Sequence, residues 1–482
     1  MTQEGTRSAE RPAPDPPMVD IADYVVDYRV DSQEAWDTAR WVLLDSLACA
    51  LLALGFPECV KHLGPLVPGA TLPGGARVPG TGFELDPAQA AYNIGTLIRW
   101  LDFNDTWLAA GWGHPSDNLG TILAVADWLS RKAEREGGAP LRVRDVLGYA
   151  IKAHEIQGCY ALRNAFNRVG LDHVILVRLA STAVATHMLG GGKDEIVAAV
   201  SHSWIDNGAL RTYRHAPNAG PRKSWAAGDA CRRAVIHALN ARKGVLGYPS
   251  ALSARTWGFQ DVAFGGRAFE FERPFGSYVM ENVLFKISYP AEFHAQTAVE
   301  CAIELHPEVA GRVDQVQRIV IDTQEAGRRI IDKVGPLANP ADRDHCIQYM
   351  VAVPLLSGRL VADDYSDRAA ADPRIDALRA LTEVREDPRF TRDYLDPGKR
   401  SIGNAVQVFF RDGSATRKVT IDYPIGHRRR RAEAIPALWR KVEGALAGHL
   451  TEAAVQRILV ACRDPAALDA TPVHRFLDWF AV

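Results

Sequence analysis

The sequence predicts a mainly α protein: a large helical region, then a smaller α+β region, then a return to helices. Three observations predict it. From about Met18 to Ser253 apolar residues recur at helical spacing almost without a break. β-branched runs then appear, VQRIVIDT at Val316 to Thr323 and AVQVFFRDGSATRKVTIDYP at Ala405 to Pro424, the second folded about the hairpin signal Asp412-Gly413. After Pro424 the helical spacing resumes. Periodicity does not say whether those last helices pack back onto the first region.

Taken in order, residues 1–17 (MTQEGTRSAERPAPDPP) are polar and proline-rich with no apolar run, which predicts a disordered tail rather than a secretory signal. WVLLDSLACALLALGF is broken by Asp45 and bounded by Gly55 and Pro57, too short for a bilayer, so it reads as a buried helix. Helices are expected at Ala35 to Leu54, Pro87 to Trp100, Leu119 to Ala133, Val143 to Leu162, Val174 to Leu189, Ile196 to Trp204 and Trp225 to Ala241. Pro73-Gly74-Gly75 and Gly190-Gly191-Gly192 punctuate them. The second triplet, followed by Lys193-Asp194, lacks phosphate-loop spacing and lies between helices, so it reads as a turn. In the α+β region helical segments start at Pro290 and Asp344; beyond it they run Ile435 to Ala447 and Ala453 to Cys462.

With 482 residues, 47% of them apolar, the chain has material for two domains. A formal charge of -2, from 56 basic and 58 acidic residues, leaves no global field for nucleic acid or an anionic membrane. The basic run His427 to Arg431 reads as a solvated face or helix entry. Seven scattered cysteines with no C-x-x-C pair argue against zinc or iron–sulfur and for reduced thiols in a cytoplasm.

Four segments gather ionisable residues outside any core or surface pattern. WLDFNDTWLAAGWGHPSDN (Trp100 to Asn118) sets Asp102, Thr106 and His114 among three tryptophans and a phenylalanine; LDHVILVRLAS holds His173 before an apolar helix. YRHAPNAGPRKSWAAGDA contributes Arg214, His215, Arg222 and Lys223, and FKISYPAEFHAQ contributes Lys286, Glu292 and His294. Singly, each has a structural reading: caps for Asp102 and Thr106, helix entry for His173, exposed surface for Arg222, Lys223 and His294. Together, imidazoles and cations at helix ends suit binding a small polycarboxylate and moving its protons. The tryptophans would wall a cleft of lowered polarity.

LDFNDTW followed by GWGHPSDN, with YRHAPNAGPRKSWAAGDA, FKISYPAEFHAQTAVE, DHCIQYMVAVPLL and DYPIGHRRRR, strongly resembles the MmgE/PrpD family from about Ile21 to the C-terminus. The resemblance implies a large helical domain built from residues 18–275 and 431–482, with an α+β lid of residues 276–430 inserted before the C-terminal helices. It also implies a homodimer with the active site between helical domain and lid. The implied reaction is loss of water from 2-methylcitrate to give 2-methyl-cis-aconitate in the methylcitrate cycle, with no metal or other cofactor.

Relatives within the family include cis-aconitate decarboxylase, whose site pattern falls on Asp102, Thr106, His114, His173, Lys223, Lys286 and Tyr349. Where that enzyme has a His after the shared P-A, this chain has Glu292, with a His only at His294. The resemblance therefore implies His114, His173, Asp102 and Tyr349 as catalytic residues, and Thr106, Lys223, Lys286, Arg222, Glu292 and His294 as contacts for the tricarboxylate. His114 or His173 would be the base, Asp102 an orienting group or proton partner, Lys223 and Lys286 the cations for developing carboxylate charge, and Tyr349 a donor on the hydroxyl side. A decarboxylase, an epimerase of the same family and a non-catalytic relative are the alternatives.

Overall fold

The protein is described here by a computed structural model covering residues 9–206 and 208–481. It is mainly α, as expected. One apolar core joins the helices Gln33–Ala53, Pro87–Arg99, Leu119–Glu136, Val143–Arg163, Val174–Met188 and Arg222–Arg242. The same core takes in Leu438, Val442, Ile458 and Phe476, so the last helices, Arg431–Ala447 onward, pack back onto the first. A second core holds residues between Ala291 and Val419, together with Trp112.

The second core is built on a four-stranded sheet. Val316–Thr323 lies beside the parallel strand Thr382–Glu386 on one side and the antiparallel Asn404–Phe410 on the other; Val419–Ile421 completes it. Asp412-Gly413 lies in the expected turn, with Gly413 at φ 85°. Helix Gln296–Val309 packs against the strands Asn404–Phe410 and Val419–Ile421, and helix Ile347–Ser357 packs on that helix, through residues such as Ala298, Cys301, Ile347 and Val351. Thr382–Glu386, sequence TEVRE, was not foreseen: it is an edge strand with no fully buried residue, so it lacks the apolar alternation that marks a half-buried strand.

Residues 1–8 of the expected tail lie outside the described residues, whereas 9–17 are attached to the body. Asp15 accepts hydrogen bonds from the Leu252 and Ser253 amides at 2.8 and 3.2 Å, and helix Pro16–Asp27 follows with proline in its first turn. Its charged face conceals a buried stripe of Met18, Ile21, Ala22 and Val25. Among the described residues no helix is long and apolar enough to cross a membrane.

Two features set the site's scaffold. Gly95, Gly120 and Gly228 stand where three helices meet: a Cβ on Gly95 would lie 2.9 Å from Gly228 Cα, and one on Gly120 2.8 Å from Gly95 Cα. Glycine at these positions lets the helices close up, and Arg99 follows one turn after Gly95. From the C-terminal helix, buried Lys441 donates to Asp45 at 2.7 Å and to the carbonyls of Phe103 and Lys286 at 2.9 Å each. It thereby fixes the two backbone segments that carry Asp102 and Lys286.

Lys441→Met keeps the length of the side chain but leaves Asp45 and two carbonyls without their donor. The expected cost is about 3–5 kcal/mol of stability in denaturant unfolding, the range for breaking a buried ion pair from one side. A cost below about 1 kcal/mol would show that Lys441 is not the strut described.

Candidate active site

A cavity lies between the two cores. It is lined by Arg99, Asp102, Thr106, Trp112, His114, His173, Arg211, Arg214 and Lys286 from the helical side, and by Glu292, Phe293 and His345 from the α+β side. It encloses only about 20 Å³ of free space.

Asp102 is its centre. Helix Pro87–Arg99 ends just before it, and Asp102 adopts the left-handed region at φ 49°, uncommon for a residue with a side chain. That geometry is held from both sides: its amide donates to Arg99 O at 3.1 Å and its carbonyl accepts from Lys286 Nζ at 2.7 Å. Its carboxylate accepts from Arg99 Nη1 at 2.6 Å and from Lys286 Nζ, while His345 Nε2 stands 4.0 Å away. Burial alone would raise the Asp102 pKa; Arg99, Lys286, His114 and His345 outweigh it and hold the group well below the usual carboxylate range.

His114 follows the turn at Gly113, and its Nδ1 lies 2.6 Å from the Asp105 carbonyl oxygen. A carbonyl only accepts, so Nδ1 carries the proton and the Nε2 lone pair receives Arg99 Nη2 at 2.9 Å. Thr106 Oγ1 is 3.3 Å from Nδ1. Behind it, Asp105 meets His154 Nε2 at 3.0 Å and accepts the Ser116 amide at 3.0 Å, which fixes the carbonyl that orients His114. Burial, then the Arg99 guanidinium, push the His114 imidazole well below its ordinary pKa.

His173 packs edge-on against His114, ring centroids 5.2 Å apart. Neither of its ring nitrogens has a hydrogen-bond partner among the described residues, although Nδ1 stands 3.5 Å from Asp172 Oδ1. Asp172 is itself bound by Arg214, with Nη2 at 3.2 Å, and by Arg211 at 3.4 Å. Burial, with Arg214, Arg99 and Arg211 nearby, pushes His173 well below its ordinary pKa against the pull of Asp172. His114 and His173 are therefore both biased towards the neutral form.

The structure separates Glu292 from His294. Glu292 lines the cavity; His294 lies behind it, with Nδ1 2.8 Å from Glu292 Oε1, Nε2 3.2 Å from Tyr394 Oη, and its ring edge-on to Trp112. Burial alone would raise the Glu292 pKa, but His294, with His345 and Lys286, brings it down to about 2.

Besides His294, three expected residues do not line the cavity. The Tyr349 hydroxyl donates to the Asp364 carbonyl at 2.6 Å inside the α+β core, stacked on Tyr365. Arg222 is half-exposed over the Trp225 ring. Lys223 is buried but bonded to both oxygens of Asp344 at 2.5 Å and lies 3.1 Å from His345 Nδ1, tying the helical side to the α+β side. Of the three tryptophans, only Trp112 lines the cavity: Trp107 is buried with Nε1 donating to Gly158 O at 3.2 Å, and Trp100 packs near His62.

Sequence reasoning missed Arg99, Arg211 and His345. Arg99 was absorbed into a helix, although a lone cation in IGTLIRWL, where an apolar face should continue, marks a buried charge. Asp344-His345 just before an apolar helix gave a similar signal.

The chain matches the MmgE/PrpD N-terminal domain over residues 19–272 and the MmgE/PrpD C-terminal domain over residues 289–464. It is 62% identical to the 2-methylcitrate dehydratase of Cupriavidus necator over 480 residues, covering 99% of each chain. It is 62% identical to that of Salmonella typhimurium over 475 residues, 98% of each. With the mitochondrial 2-methylcitrate dehydratase of Yarrowia lipolytica it shares 57% identity over 455 residues, 94% of this chain and 88% of the other.

Because its hydroxyl is engaged away from the cavity, Tyr349→Phe should leave kcat/KM on the physiological substrate within about threefold. It should cost about 0.5–1.5 kcal/mol of stability, the worth of one hydrogen bond. A hundredfold kinetic loss would place the hydroxyl among the reacting groups.

Proposed function

Because the chain belongs to the MmgE/PrpD family, we propose that it is a hydro-lyase that removes water from 2-methylcitrate to give 2-methyl-cis-aconitate. The observation that carries the chemistry is the pair of buried, neutral imidazoles facing a cation-rich cavity. Elimination requires removal of a weakly acidic proton α to a carboxylate and protonation of the departing hydroxide.

His173 is the base: it is neutral, and its ring nitrogens are unengaged. The Nε2 of His114 is covered by Arg99, so His114 serves to hold Arg99 beside the substrate. As His173 takes the proton, the C–H electrons form the double bond, and charge growing on the α-carboxylate is met by Arg99, Arg211 and Arg214. Lys286 supplies the acid. It has three N–H groups, of which two go to Asp102, and burial lowers its pKa towards the working range. The C–O bond breaks and hydroxide leaves as water with the Lys286 proton; His173 then gives its proton to solvent and Lys286 takes one from solvent, restoring both groups.

The α+β region acts as a lid. Free space of about 20 Å³ admits one water and no tricarboxylate, so the two cores must part for entry and close again on the substrate, with Lys223–Asp344 as the latch. The reaction as proposed assigns every step to protein groups, His173, Lys286 and the arginines, and none to a metal. A homodimer fits the exposed apolar side chains Leu246, Trp257 and Val262, and a cytoplasmic setting fits seven buried, free thiols.

Following alkene absorbance with 2-methylcitrate and citrate side by side tests the reaction, with 2-methylcitrate the better substrate. His173→Gln should lower kcat by about a hundredfold or more with little change in KM. Because both imidazoles are held below their ordinary value, the acid limb of kcat/KM should fall below pH 6.5, about the unperturbed histidine pKa. An acid limb at or above that pH, or a fully active His173→Gln enzyme, would remove His173 from the base's role. Dialysis against a strong chelator should leave the rate unchanged; loss restored by added metal would overturn the metal-free reading.

A further inference from the structure

Glu292 faces the cavity yet has no part in the elimination described above. It caps the short helical turn Phe293–Ala295 on the α+β side and keeps 6% of its surface open. Its charge has the wrong sign for the ligand. Arg99, Arg211, Arg214 and Lys286 offer positive charge to a tricarboxylate, whereas a carboxylate among them repels one. A lone buried carboxylate would take up a proton and lose that charge. Here His294, with His345 and Lys286, keeps it ionised.

Acceptor capacity remains on it. A carboxylate has about four lone-pair sites. Among the described residues His294 alone donates to this one: its amide reaches Oε2 at 2.8 Å, and its Nδ1 lies 2.8 Å from Oε1 and 3.1 Å from Oε2. The other cavity carboxylate, Asp102, is taken up by Arg99 and Lys286. Of the remaining acceptors, His114 Nε2 is covered by Arg99, and His173 is committed to the C–H bond. The cavity is thus rich in donors and short of acceptors, while an ionised 2-methylcitrate brings a single donor of its own, its hydroxyl.

We propose that Glu292 accepts the hydrogen bond of the substrate hydroxyl and so selects hydroxy tricarboxylates over their deoxy counterparts, an assignment that rests on the proposed dehydration. The hydroxyl oxygen meanwhile accepts from the third N–H of Lys286, whose other two go to Asp102. Held between an acceptor and a donor, the hydroxyl turns a lone pair towards the acid that protonates it on leaving. The water formed keeps both partners. The alkene has no donor for Glu292 and meets its charge unrelieved, which favours release. A site built to pair a hydroxyl rejects a ligand lacking it, because the buried acceptor is left unmet.

The test is equilibrium titration of the full chain with citrate and with tricarballylate, which is citrate with hydrogen in place of the hydroxyl. A His173→Gln background keeps citrate from turning over. There citrate should bind at least about tenfold more tightly than tricarballylate. Adding Glu292→Met should bring the two within about threefold, with tricarballylate bound no less tightly than before, since a repelling charge is gone. Glu292→Gln, a neutral acceptor of the same shape, should keep part of the preference; if the methionine variant does not fold it decides, by a fall of at least about threefold in the ratio. A purely structural role would weaken both ligands alike and leave their ratio unchanged. That outcome, or no preference for citrate in the background, overturns the proposal. Alkene formation from 2-methylcitrate by the wild type is followed in parallel: its absence overturns the dehydration and this assignment together, whereas alkene with an unchanged ratio overturns the role of Glu292 alone.

Discussion

The structure depends on keeping Asp102 ionised in a place almost without water. A lone carboxylate moved into such a site would take up a proton rather than keep its charge. Here Arg99 comes from a helix end, Lys286 from a segment 184 residues away, and His345 from the α+β side, and together they outweigh burial. One carboxylate thus gathers side chains from three well-separated stretches of the chain at one point. The left-handed backbone at Asp102 is the local cost of aiming it there, and Lys286, bonded to its carbonyl as well as its side chain, holds both.

The same pull explains the supports behind the cavity. Lys286 is placed by Lys441 through its carbonyl, His114 by the Asp105 carbonyl, and Glu292 by His294. Residues touching the cavity are thereby oriented by others that do not, and the first set is spread over both cores. A cavity closed between two cores, with Lys223–Asp344 crossing from one to the other, can open without unfolding either.

What was legible in the sequence was what is local. Helices with an unbroken 3.6-residue period, the Asp412-Gly413 turn and the Asp102 to His114 segment could be read because their neighbours in space are neighbours in sequence. Arg99 and His345 were marked only as charges beside apolar faces, because such a pattern signals burial without naming the group the charge meets. Lys223 and Tyr349 show the opposite case. Each has a side chain suited to chemistry, but Asp344 and the Asp364 carbonyl claim them in the fold. Only the start of helix Pro16–Asp27 escaped, because its two prolines read as part of the tail, whereas the helical spacing from Met18 onward includes its buried stripe.

Neutral imidazoles and fixed cations in one cavity are not independent features. A cation near an imidazole disfavours the protonated form, by about 4 kcal/mol for a charge 4 Å away at an effective dielectric of about 20. Arg99, Arg211, Arg214 and Lys286 therefore do two things at once: they add to burial in disfavouring protonation of His114 and His173, and they present positive charge to a polyanion. A bound tricarboxylate would offset those cations and raise the affinity of His173 for a proton. The base would then be weak in the empty cavity and stronger once a substrate with enough negative charge fills it, which couples recognition of a polycarboxylate to the power to remove its proton.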